Sequence, residues 1–258
     1  MANPSLTDTS FNTLPNDSDS HDSANHIPAH PLDNPIWNSL LTEHRAFAVS
    51  NALARRYPPA IGPLSGIASQ SAANYEALRE LAGPSGVVVL FCTEAPAPPP
   101  GWTLIRGGVL TQMICLQPVK PVSAPLTRGE VLRPLTTEDV PAMVALAELT
   151  EPGPFRERTI ELGAFYGIFD NGRLLGMAGE RTHLSRFVEV SAVCTHPDAR
   201  GRGYARTLIA TVMDEIHQRG KTPFLHSFAH NDSAIRVYES LGFIERRTFE
   251  LAVLKNDL

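Results

Sequence analysis

Polar residues dominate the start of the chain. Residues 1–33 are rich in Ser, Asp, Asn, Thr, Pro and His and carry no apolar period. Such a segment buries too little surface to offset the entropy of ordering, so it is expected to be disordered. A helical period begins at Pro35: Trp37, Leu40, Leu41, His44, Phe47, Ala48 and Ala52 share one face, which predicts a helix through "WNSLLTEHRAFAVSNALA". "YPPAIGPLSGIA" is punctuated as a connector, and "ANYEALRELAGPSG" predicts a short helix stopped at Gly83-Pro84. The β-branched run "VVVLFC" predicts a strand closed by "APAPPPG", and "WTLIRGGVLTQMICLQ" predicts two short strands around Gly107-Gly108. "KPVSAPLTRGE", Lys120 to Glu130, reads as a linker.

Beyond it the alternation sharpens. "VLRPL" predicts a strand, and "TTEDVPAMVALAEL" a helix with Thr136 or Thr137 as N-cap and Glu138 and Asp139 in its first turn. "AFYGIFDNGRLLGMAGER" predicts a hairpin turning at Asp170-Asn171-Gly172, and "RFVEVSAVCT" a further strand. In "GYARTLIATVMDEIHQRG" the residues Ala205, Leu208, Ile209, Val212 and Ile216 line one helical face, with Gly220 at the stop. A strand "PFLHSFA", a helix from Asn231 to Gly242 and a last strand "FELAVL" complete the order β-α-β-β-β-α-β-α-β. That order predicts an α/β (α+β) fold with a mixed, mainly antiparallel sheet flanked by helices. The expected organisation is a tail over 1–33, a smaller α/β domain over 34–125 and a main domain over 129–258.

Composition narrows the function classes. The chain has 258 residues, a formal net charge of -5 and 43% hydrophobic residues, which suits a packed globular protein and disfavours generic binding to nucleic acid or anionic membranes. Three cysteines, Cys92, Cys115 and Cys194, without a CxxC pair predict reduced thiols. The first residues have no basic or apolar signal region, and the run Gly86–Cys92 is too short to span a bilayer. A cytoplasmic protein is expected. His21, His26 and His30 in the tail are imidazoles without preorganisation, so no metal site is assigned.

The chemistry concentrates in "HPDARGRGYARTLI", His196 to Ile209. No Lys-Ser or Lys-Thr follows the glycines, which excludes a P-loop; Arg206 stands where a dinucleotide fingerprint needs its third glycine. A strand, a glycine turn and a helix N-terminus remain, and free N–H groups at such a terminus hold anions. Arg200 and Arg202 add positive charge.

Arg200-x-x-Gly203-x-Ala205 resembles the [QR]-x-x-G-x-[GA] signature of the GNAT acyltransferase superfamily, "VCTHP" resembles the strand end that precedes it, and Asn231, Ala234, Tyr238, Gly242 and Phe243 match a second segment of that family. The resemblance covers about residues 129–258, and it is nearest the branch of the glycine N-acyltransferase C-terminal domain. Some proteins of that branch carry a degenerate GNAT-like unit in front, for which 34–125 is the candidate, though it has no loop of this kind. The resemblance implies acetyl-CoA, or another short acyl-CoA, as co-substrate, without a metal. It implies a pyrophosphate held by Arg200, Gly201, Arg202, Gly203, Tyr204 and Ala205, a pantetheine arm paired along Val193, Cys194 and Thr195, and contacts from Asn231 and Tyr238. The expected acceptor is a small-molecule or peptide amine. Monomer or homodimer is left open.

Roles follow from the reaction. A phenol near pKa 10 can protonate a departing thiolate, which makes Tyr238 the candidate general acid. Glu189 stands where some histone-type members hold a base, and Glu180 is the second base candidate. Unbroken strand alternation places Glu189, Ser191, Val193 and Thr195 on one face and Cys194 on the other. Cys194 is expected to be a small buried hydrophobe and not an acyl-carrying nucleophile. The alternative reading is a catalytically silent acyl-CoA sensor or regulatory domain.

Overall fold

Eight strands form one sheet in the order β4-β11-β5-β10-β9-β8-β7-β6. They are β4 (Val87–Cys92), β5 (Trp102–Ile114), β6 (Val131–Pro134), β7 (Phe165–Asp170), β8 (Arg173–His183), β9 (Phe187–Thr195), β10 (Thr222–Phe228) and β11 (Ile244–Asn256). Every neighbouring pair is antiparallel except β9 and β10, which run parallel. This is the mainly antiparallel sheet that the sequence predicts. A separate three-stranded sheet holds β1 (Val49–Ser50), β2 (Ala54–Arg56) and β3 (Ser65–Ile67). The computed structural model describes residues 30–117, 126 and 129–258. Residues 1–29 of the expected tail, including His21 and His26, and most of the expected linker lie outside them; the end of that tail is ordered, a 3-10 turn over Pro31–Asp33 that buries Leu32 and pairs Asp33 with Arg246 and Arg247.

Helices cover both faces. On one, α4 (Tyr204–Gln218) and α5 (Asp232–Ser240) bury Leu208, Ile209, Val212, Ile216 and Tyr238 against Val188, Val190 and Leu225. A fully buried Leu such as Leu208 stabilises the fold by roughly 1.5–3 kcal/mol relative to an exposed one. On the other face, Ile36 and Leu40 of α1 (Pro35–Leu41) join Tyr57, Ile61 and Leu64 against Phe249 and Leu251. Helix α3 (Val140–Thr150) packs Met143, Leu146 and Ala147 against Met177, Ala192 and Cys194. Its entry is a capping box in which Thr136 and Asp139 satisfy each other's backbone N–H.

The structure corrects three expectations. The helix predicted through Ala54 ends at Leu41. Downstream, Asn51 Oδ1 accepts from the N–H groups of Leu53 and Ala54 at 3.1 and 2.8 Å and sets the turn of the β1–β2 hairpin. The two short strands around Gly107-Gly108 are one long strand, β5. At Gly108 a Cβ would meet the Phe228 ring at 3.1 Å, a tight contact that the ring would have to give way to. Finally, the predicted break between 34–125 and 129–258 does not divide the sheet. β5 lies between β10 and β11, β4 closes the far side of β11, and Pro31–Leu258 forms one compact unit.

Candidate active site

Parallel strands β9 and β10 pair only from Thr222–Phe187 to Phe224–Glu189. Past that point β9 continues to Thr195 and β10 to Phe228 without a further pair between them, so the sheet splits. Two neighbouring strands with unpaired inner edges offer backbone N–H and C=O groups to an extended guest.

A bulge shapes this edge. Between the β8–β9 pairs Gly179–Ser191 and Met177–Cys194, β9 inserts one extra residue, and Ala192 adopts a left-handed φ of 52°. The insertion reverses the alternation. Val193 packs with Val188 and Val190 on the α4 side, whereas Ala192 and Cys194 pack on the α3 side. The expected grouping of Glu189 with Val193, opposite Cys194, is therefore overturned. Cys194 is buried among apolar neighbours and its thiol is pushed up to about 11 by burial. Thr195 Oγ1 is buried without a hydrogen-bond partner among the described residues.

The glycine loop follows directly. A 3-10 turn over Pro197–Ala199 is capped by His196, and the chain then passes through Gly201 (φ 76°) and Gly203 (φ 80°) into α4. Both angles lie in the left-handed region that side chains disfavour. The first N–H of this entry to find a backbone partner is that of Thr207, on Gly203 O; among the described residues, those of Gly201 to Arg206 bond to none. Arg200 and Arg202 flank them, Arg202 donating to Asp198 O at 3.1 Å. The loop thus carries a cluster of free donors at a helix N-terminus beside two cations. Tyr204 turns inward, its hydroxyl 2.6 Å from Glu130 Oε1, and anchors the first turn of α4.

Asn231 caps α5, its Oδ1 accepting from Ala234 N at 3.3 Å. Tyr238 lies on the same helix with its ring 6.1 Å from that of Phe243. Its hydroxyl makes no side-chain hydrogen bond among the described residues, and burial pushes the phenol up to about 12. At neutral pH it is a protonated donor.

The two carboxylate candidates are far from free. Glu189, fully buried, takes the forked guanidinium of Arg181 (Nε–Oε2 3.0 Å, Nη2–Oε1 2.6 Å) and lies 2.7 Å from His226 Nδ1. Burial works against its charge, but Arg181 and His226 outweigh that and hold the carboxyl below its ordinary range. His226 Nε2 in turn lies 3.0 Å from Gln112 Nε2, and Gln112 Oε1 accepts from Arg246. Glu180 has other partners: it pairs with Arg219, and His183 Nε2 lies 3.1 Å from its Oε2. Burial opposes its charge too, and His183 and Arg219 lower its pKa. Arg181, His226 and Gln112 escaped the reading of the sequence. The available signals were a lone imidazole in the buried strand "PFLHSF" and the adjacent Glu180-Arg181 pair in an otherwise apolar strand.

Among the described residues no group of three or more His, Cys, Asp or Glu side chains is placed to hold a metal ion, and no helix is long and apolar enough to cross a membrane.

Comparison with known proteins places this geometry. The family described as FR47-like protein matches residues 165–251, the span from β7 into β11. The [ribosomal protein bS18]-alanine N-acetyltransferase of Escherichia coli K12 is 30% identical over 117 residues, covering 43% of this chain and 78% of that protein. A crystal structure described as an acetyltransferase of the GNAT family, from Novosphingobium aromaticivorans, is 43% identical with a TM-score of 0.80. The match covers 89% of this chain and all of that one. A protein of unknown function from Staphylococcus epidermidis shares the fold at 10% identity, with a TM-score of 0.53 over 85% of this chain and 99% of that one.

Proposed function

This chain belongs to the GNAT family of acetyltransferases, and from that premise we propose that it moves an acetyl group from acetyl-CoA to a primary amine by direct attack in a ternary complex. The observation that carries the reading is the continuity of the β9–β10 split with the free N–H cluster at α4. One extended slot and one anion site, joined end to end, fit a pantetheine arm and a pyrophosphate. The residues that would hold the co-substrate are Val193, Cys194 and Thr195 through their backbone, Arg200 to Ala205 at the loop, and Asn231 and Tyr238 on α5. The thioester supplies an activated acyl group with a thiolate as leaving group.

The chain's own residues divide the remaining work. Tyr238 is the proton donor to the sulfur, since a neutral phenol without a competing partner is what that role needs. Glu189 stands at the last β9–β10 pair, where the slot begins. A carboxylate held this acidic by Arg181 and His226 is a weak base, so Glu189 serves as a fixed charge at the head of the slot and the amine proton leaves to solvent water. Glu180, committed to Arg219 and His183, is an ion-pair partner in this scheme. The proposal includes the glycine N-acyltransferase branch, a cytoplasmic setting and an acceptor that is a small or peptide amine.

Calorimetry with acetyl-CoA, and free-thiol release with a panel of amines, test this directly. Gly203→Glu places a like charge in the anion site and is expected to abolish binding while the protein still unfolds cooperatively. Unaltered affinity in that variant would remove the loop from the co-substrate site. The second reading, a silent acyl-CoA sensor, requires tight binding with no thiol release for any amine; the unpartnered phenol of Tyr238 favours turnover.

A further inference from the structure

Glu189 is held from two sides. Arg181 of β8 grips it with a forked pair of bonds, and His226 of β10 reaches it through Nδ1 at 2.7 Å. Backbone pairing between β9 and β10 stops at Phe224–Glu189, and His226 is the next residue of β10 on that face. Its bond to Glu189 crosses the start of the split, so a side-chain rung takes over where the backbone ladder ends. The rings of Phe91, Phe224 and Phe249 surround the imidazole at 4.7, 5.8 and 5.4 Å, and its side chain is 2% exposed. In such apolar surroundings a hydrogen bond is worth more and an unmet polar atom costs more.

The other ring nitrogen fixes the protonation of His226. Gln112 is its cross-strand partner in the β5–β10 register, and the ring Nε2 lies 3.0 Å from the amide Nε2. The orientation of that amide is set twice over. Its nitrogen donates to Leu32 O at 3.0 Å, and its oxygen accepts from Arg246 Nη1 at 2.8 Å. Turning it over would set oxygen against oxygen and nitrogen against guanidinium. An amide nitrogen only donates, so the ring nitrogen that faces it is bare. The single ring proton then sits on Nδ1 and is donated to Glu189 Oε1. Both supports of the amide come from distant segments. Arg246 falls at a register shift of β11, between the pairs Glu245–Met113 and Arg247–Gln112, and it also donates to Asp33 Oδ1 at 2.7 Å. Asp33 and Leu32 belong to the same 3-10 turn. Gln112 is fully buried, with both amide hydrogens and the oxygen in use.

We infer that Gln112 and His226 are positioning residues for the acetyl transfer: Gln112 holds His226 as the neutral Nδ1–H tautomer, and that imidazole fixes the Glu189 carboxylate at the head of the slot. This rests on the acetyltransferase reading above. The nitrogen of an amine becomes positive as it attacks a thioester, and a carboxylate held nearby stabilises that state. The gain depends on the charge keeping its place, which a buried and fully bonded chain of side chains secures. Residues 31–33 complete the chain, so the site draws on the far N-terminal side of the described residues.

The tautomer is read on the full-length wild-type protein with isotope-labelled histidine, by long-range proton–nitrogen correlation, the His226→Asn spectrum assigning the signals by their loss. A protonated Nδ1 and a bare Nε2 are expected. A protonated Nε2 overturns the inference whatever the kinetics. His226→Phe keeps an aromatic ring in place and removes the donor. It is expected to lower kcat by about tenfold to a hundredfold, with acetyl-CoA affinity by calorimetry within about threefold. His226→Asn presents Nδ2–H where Nδ1–H stood and is expected to recover most of that loss, although it fills the space less well. Packing alone would give the opposite order. Gln112→Met keeps the length, loses the donor and is expected to lower kcat as His226→Phe does. Full turnover in His226→Phe or Gln112→Met, or no recovery in His226→Asn, overturns the inference and leaves the acetyltransferase reading intact. If the variants fail to fold, the wild-type spectrum decides alone. Acetyl-CoA bound by the wild type with no turnover of any amine overturns both.

Discussion

Tyr238 sits on α5 with one side of its ring in the α4–α5 core and its hydroxyl unbonded among the described residues. Removing only that oxygen leaves the packing against Phe243 nearly unchanged. Tyr238→Phe is therefore expected to keep acetyl-CoA affinity within about threefold and to lower turnover by roughly 10² or more, the usual worth of a positioned acid. Equal thiol release by the two proteins would take Tyr238 out of the mechanism. The phenol, the Asn231 cap and the loop glycines were legible in the sequence because each depends on spacing along a single local element. The Arg181–Glu189–His226 set was not. Those three side chains sit on β8, β9 and β10, and only the register between strands brings them together. A reader of the sequence sees two carboxylates and assigns base chemistry. In the folded protein both carboxylates already hold cations.

Strand β9 shows how one residue redirects an element. Its pleat is regular to Ser191, then Ala192 takes a φ of 52° and the outward face becomes the inward one. Alternation read along "FVEVSAVCT" cannot register this, because a bulge costs a single residue and leaves no compositional mark. The same limit applies to the helix predicted through Ala54, where the apolar period is real but an Asn51 turn and the β1–β2 pairing win locally. The bulge also gives a prediction. A β-branched side chain resists the left-handed region more than alanine does, so Ala192→Val is expected to lower stability by about 1–2 kcal/mol. Urea unfolding of the two proteins measures it. An unchanged midpoint would mean that β9 can flatten its bulge at no cost.

At the scale of the molecule, the two halves of the chain share one sheet. The last strand, β11, pairs with β4 and β5 and with no strand of its own half. Without residues 30–117 it has no partner on either edge, and β10 loses its antiparallel neighbour. The buried face of Phe249 and Leu251 likewise loses Ile36, Leu40, Tyr57 and Leu64. The sequence pattern placed the GNAT-like motifs correctly within 129–258, yet it suggested a self-sufficient domain there. Strand pairing between distant segments leaves no periodic signal, so this dependence became visible only in the sheet order. A fragment of residues 129–258 is accordingly expected to show no cooperative thermal transition by circular dichroism and no acetyl-CoA binding, although it contains every motif of the co-substrate site. An exposed, unpaired β11 in that fragment predicts association as well. A sharp two-state melt of the isolated fragment would show that β4 and β5 are an addition to a complete fold. Failure of the fragment, with recovery when residues 30–117 are supplied as a second chain, would establish that the site's framework is built by both halves.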